Sequence, residues 1–145
     1  MMQYRFDSSL ALGAMLVAAA LLLPATAVAQ RQLPPGEGHR ASVAEATQLP
    51  KFCWGQYMDV KGPEFGISGC GVGMNHYCWG LVELLRANRS FGDTRMRVGY
   101  LRAARGNTLY TINWMNQAAP NCWLRAHVEN THKQIESQLR VYGVK

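Results

Sequence analysis

Four cysteines, Cys53, Cys70, Cys78 and Cys122, constrain this chain more than any other feature. An even number of thiols in a small exported domain is the pattern of a disulfide framework, whereas in a reducing compartment the same residues point to metal binding or catalysis. The N-terminus selects between the two. A short polar region carrying Arg5 leads into an apolar run from Leu10 to Ala29, broken only by Gly13, Pro24 and Thr26. Ala27-Val28-Ala29 supplies the small residues of a signal-peptidase site, with Pro24 breaking the helix before it. The uninterrupted core, Leu16 to Leu23, is too short for a spanning helix. Residues 1–29 therefore read as a signal peptide cleaved after Ala29, which sends the chain to the periplasm or outside the cell. Oxidised there, each bridge stabilises by roughly 3 kcal/mol. Three pairings are open. No C-x-x-C or C-x-x-C-H is present, so neither a thioredoxin-type site nor covalent haem attachment is supported.

Residues 30–145 suit one domain, and nothing after Ala29 is long and apolar enough to span a membrane. The formal charge of +6 survives cleavage, because Arg5 and Asp7 leave together. Outside the cytoplasm a basic domain favours acidic proteins, lipid headgroups or wall polymers, and export disfavours nucleic acid. Arg86, Arg89, Arg95, Arg97, Arg102 and Arg105 concentrate this charge in one helical region and read mainly as a solvated face.

Residues 30–48, with Pro34-Pro35-Gly36 and Gly38, read as a flexible linker that admits a short helical turn over Ser42–Thr47. The folded domain is expected over 49–145, opening with a short helix near Pro50 that carries Phe52, Cys53, Trp54 and Tyr57. A Gly-rich loop follows over 59–73. The spacing predicts a helix over 74–89, with Asn75 as N-cap and Tyr77, Leu81, Leu84 and Leu85 at helical intervals. A second runs over 94–117 with Val98, Leu101, Thr108, Ile112 and Met115 buried, and Gly106 marks a kink or a close helix contact. A third runs from Pro120 or Asn121 to Tyr142, with Leu124, Val128, Thr131, Ile135 and Leu139 on one face. No alternating segment of useful length appears. The expected class is all-α, built of short antiparallel helical hairpins and tied by disulfides.

Motifs for chemistry are sparse. Gly69-Cys70-Gly71-Val72-Gly73 lacks the G-x-G-x-x-G spacing of a phosphate loop. His76 and Cys78, and His127 and His132, diverge on their helices, so neither pair predicts a metal site. His76 is expected to hold the helix start to the loop by a hydrogen bond. Asp59, Glu64, Glu83, Glu129 and Glu136 are the acid/base candidates; Glu129, His132 and Glu136 share a face that equally suits solvent. No G-x-S-x-G, H-E-x-x-H or serine–lysine pattern is present. No cofactor is expected.

Two stretches, Leu49-Pro50-Lys51-Phe52-Cys53 and Asn75-His76-Tyr77-Cys78-Trp79-Gly80-Leu81, resemble a family of exported proteobacterial proteins related to tetratricopeptide repeats. The family pattern has an L-P-x-aromatic-Cys start, an H-H-Y-C-W-G-L helix, a long helix, a proline and further hairpins. Here Asn75 replaces the first histidine, and the chain stops one helix later, so an extended superhelix cannot form. The resemblance implies a truncated tetratricopeptide-like fold and no catalytic residue. It also implies pairs Cys53–Cys78 and Cys70–Cys122, because the two motif cysteines match the first pair. The resulting expectation is an exported binding or scaffolding module for a protein or envelope partner. His76, Trp79, Arg86 and Trp114 are the candidate contacts, since aromatics and Arg make good anchors. A small envelope hydrolase and a structural subunit of an envelope complex are the alternatives.

Overall fold

The computed structural model describes residues 33–67 and 69–145. The signal peptide and its cleavage site lie outside the described residues. The described part is helical, with no strand among its residues. Its main elements are a short α1 (Val43–Ala46) and three long helices, α2 (Met74–Arg89), α3 (Thr94–Ala118) and α4 (Arg125–Val141). One-turn 3₁₀ segments occupy Gly38–Arg40 and Pro63–Phe65, and a longer one Lys51–Gln56.

The long helices pack antiparallel in chain order. Going up α2, Gly73 O accepts from Thr111 Oγ1, His76 meets Asn107, and Gly80 faces Ala104 and Thr108. Going up α4, Arg125 meets Asn116, His132 meets Thr108, and Glu136 meets Arg105. The expected face of α4 is buried throughout: Leu124, Val128, Thr131, Ile135 and Leu139. On α3 the buried set is Tyr100, Leu101, Ala104, Thr108, Thr111 and Met115. Val98 and Ile112 are only half-buried there. The helix runs on through Gly106, above which no atom lies within 4 Å; the close helix contact is at Gly80.

Two disulfides tie the bundle. Cys53–Cys78 staples the Lys51–Gln56 segment to α2, and Cys70–Cys122 joins the Gly-rich loop to the turn before α4. These are the pairs implied by the family resemblance. That turn also shortens α4 relative to expectation. Residues 119–124 follow the path to the Cys70 bridge, and the helix starts at Arg125 with Leu124 as its N-cap. The start of α2 differs too. Its N-cap is Gly73, and Asn75 already lies inside the helix.

Gly73 is needed for closeness rather than for backbone conformation, since its φ is −60°. A Cβ there would stand 2.1 Å from Trp114 Cγ. Gly73→Ala is therefore expected to destabilise the domain by about 1–3 kcal/mol, the usual cost of overpacking. A thermal melt, with near-ultraviolet circular dichroism to follow Trp114, checks this.

Residues 33–48 are folded onto α2 rather than forming a free linker. Ser42 and Glu45 make a reciprocal capping box at α1, and Ala46 is fully buried. Tyr57 Oη donates to Gly38 O (3.1 Å), and Tyr100 Oη donates to Leu33 O.

Candidate functional site

The four candidate contacts fall into three different environments. Arg86 is 2% exposed and lies beneath the 33–48 segment. Its Nε donates to Glu45 Oε1 at 2.7 Å, and its Nη1 stands 3.7 Å from Glu83 Oε1. It is thus a structural cation and not part of a solvated or binding face. Glu83 is wholly buried and accepts the Gly36 N–H at 3.1 Å. Together these groups fasten the 33–48 segment to α2.

Burial pushes the Glu83 carboxyl up to about 7, against the pull of Arg86 and of the Gly36 and Gly38 amides. Glu45 moves the other way. Burial raises it, but the Arg86 hydrogen bond and the Ser42 amide together hold it below the ordinary carboxylate range. A raised carboxyl adds stability that is complete below its unfolded value and lost as pH rises through about 7. A lowered one adds stability that is present above the unfolded value and lost in acid. Stability is therefore expected to peak at about pH 5 and to fall by pH 8. Glu83→Gln is expected to flatten the alkaline side of a melting-temperature profile.

Trp114 is half-buried, with its ring against Gly71 and Gly73 and its Nε1 donating to Cys70 O (3.3 Å). It pins the Gly-rich loop, and its ring is spent on packing against that loop. The acid/base candidates do not converge either. Glu129 pairs with Arg125, whereas Glu136 lies near Arg105 and His132. His132 Nδ1 is bound to Thr108 Oγ1. Asp59 and Glu64 are exposed.

His76 and Trp79, in contrast, come together. They lie at i and i+3 on α2 and so share a face. Asn107 and Tyr110 repeat that spacing on α3, directly opposite. The His76 ring sits between two aromatics, with centroids 4.3 Å from Trp79 and 4.0 Å from Tyr110. His39, from the Gly38–Arg40 turn, meets the far side of the group edge-on, 5.9 Å from Trp79. Close packing sets that turn, because a Cβ on Gly38 would stand 2.4 Å from Trp79 O.

The hydrogen bonds orient the imidazole. Asn107 Nδ2 donates to Ala103 O, so Oδ1 faces His76 Nδ1 at 2.9 Å. Nδ1 therefore carries the proton, and His76 Nε2 is left as an acceptor with no protein hydrogen bond among the described residues. The bond runs to the neighbouring helix, not to the loop as expected from sequence. Tyr110 is 48% exposed and Trp79 half-buried, so the group opens to solvent. It presents aromatic faces and one oriented acceptor. Among the described residues no carboxylate, hydroxyl or thiol is hydrogen-bonded to His76, and Cys78 beside it is oxidised. No group of three His, Cys, Asp or Glu that could hold a metal ion occurs among the described residues.

Tyr110, His39 and Asn107 have no assigned role in the reading from sequence. The paired i, i+3 spacings, His76–Trp79 and Asn107–Tyr110, were the available signal. Compared with known proteins, the chain gives no significant match to a family model, a curated protein or a solved structure.

Proposed function

We propose that this protein is an exported helical module that binds a protein or an anionic component of the cell envelope and carries out no reaction itself. The observation that carries this reading is the His39–His76–Trp79–Tyr110 group. It is held by contacts from three elements, it is open to solvent, and among the described residues no carboxylate, hydroxyl or thiol is hydrogen-bonded to His76. Aromatic side chains already fixed in place lose little freedom on binding, which suits them as anchors.

The two disulfides fit a periplasmic or secreted site of action. No described helix is long and apolar enough to cross a membrane. Kinship with the exported tetratricopeptide-like proteins belongs to the same proposal, supported by the antiparallel pairs α2/α3 and α3/α4.

The test is Tyr110→Arg, which alters an exposed position. Loss of an anchor costs about 2 kcal/mol or more. The variant is expected to bind its envelope partner about 30-fold more weakly, with an unchanged melting temperature. Partner association is read by co-elution from envelope extracts. Unaltered association would remove the group from the interface.

A further inference from the structure

A separate feature lies at the N-terminal end of α3. The start of that helix, the 33–37 segment and the chain after α4 enclose a groove of about 960 Å³. This volume is at the upper end for small-molecule sites. Pro35, Val98, Tyr142 and Val144 make its apolar walls. Pro35 packs on Gly99, and the Arg97 guanidinium lies 5.7 Å from the centroid of the Tyr142 ring and steadies that wall.

Arg95 and Arg102 flank the groove two helical turns apart, about 10 Å along the axis. Both are exposed, and neither forms an ion pair or hydrogen bond among the described residues. Other arginines are engaged: Arg40 with Glu37, Arg86 with Glu45, Arg105 with Glu136 and Arg125 with Glu129. The acidic side chain at the groove, Asp93, is turned to its own helix, where it accepts from Met96 N. The start of α3 adds the positive end of its dipole. Two guanidinium groups against the one Asp93 carboxylate leave the mouth of this apolar trough with a net positive charge.

We infer that this groove binds a single-chain anionic amphiphile, with the alkyl chain against Pro35, Val98, Tyr142 and Val144 and the anionic head between Arg95 and Arg102. The charge complementarity selects an anion, and the apolar walls select a chain rather than a bare ion. A peptide is the poorer fit, because no strand edge borders the groove to pair with an extended backbone.

The experiment is calorimetric titration of the protein, residues 30–145, with laurate below its aggregation concentration. Dodecyltrimethylammonium and the acidic peptide acetyl-(Glu-Leu)₄-amide serve as comparison probes. Laurate is expected to bind at one site, at least tenfold more tightly than the cationic amphiphile. Arg95→Glu/Arg102→Glu is expected to weaken it by tenfold or more. Both positions are exposed, so this variant keeps its fold, and an unchanged melting curve checks that. Val98→Trp, which fills the groove, is expected to abolish binding. Equal binding of the two amphiphiles, laurate binding unaffected by the double arginine variant, or binding of the peptide without laurate would each overturn the assignment.

Discussion

Replacing Cys70 and Cys122 by serine is expected to lower the melting temperature of the protein by about 15 °C, the shift that roughly 4 kcal/mol produces in a domain of this size. The bridge closes a loop with a sequence separation of 52, against 25 for Cys53–Cys78. Loop-closure entropy grows with length, so the Cys70–Cys122 bridge restrains the unfolded chain more strongly. It also joins two segments that lie outside the long helices, the Gly-rich loop and residues 119–124. Cys53→Ser/Cys78→Ser is expected to cost somewhat less. Because the two loops overlap over residues 70–78, the costs do not add in full. Complete reduction still removes a large part of the roughly 5–15 kcal/mol that holds a typical domain. Melts with and without dithiothreitol, beside the two double variants, check the ranking.

Arg86→Met is expected to destabilise by about 3–5 kcal/mol, the cost of leaving a buried charge without its partner. Two carboxylates depend on this guanidinium, and Glu83 is fully buried. Glu83 Oε2 already lacks a hydrogen-bond partner. The loss is pH-dependent in a defined direction. Without Arg86 the Glu83 carboxyl loses the charge that pulls it down and rises further, so lowering the pH protonates it and the uncompensated charge shrinks. The variant is therefore harmed less at pH 6 than at pH 8. Replacing Glu45, Glu83 and Arg86 together by apolar residues is expected to be near neutral or stabilising, since desolvation of the whole set is then removed. Denaturant titration at both pH values separates these cases.

The network also shows where sequence reasoning stops. The face of α4 was legible because its four buried residues, and Leu124 just before them, are apolar or Thr at helical intervals, and a single helix carries the pattern. On α2 the same logic selected Leu81 and Leu85, which are only half-buried, and passed over Glu83 and Arg86. Charged residues are buried only when paired, and the Glu45 partner of Arg86 lies 41 positions away in the chain. No local pattern reports such a pair. The 33–48 segment suffered similarly. Its Pro and Gly content suggested a linker, although Ser42-Val43-Ala44-Glu45 spells a capping box. What holds it to α2 is again tertiary: Glu83, Arg86 and the Gly38–Trp79 contact. In the candidate site, His76 and Trp79 were legible as neighbours on one helix turn. Tyr110 and Asn107 joined them only through the α2/α3 register, which residue spacing on one helix does not specify.

The binding role of the His39–His76–Trp79–Tyr110 group is tested most directly by photocrosslinking in living cells. A benzoylphenylalanine is placed at position 110 or, on the exposed face of α4, at position 133. The account predicts a discrete crosslinked species from position 110 and none from position 133. No species from position 110, or the same species from both, would contradict it.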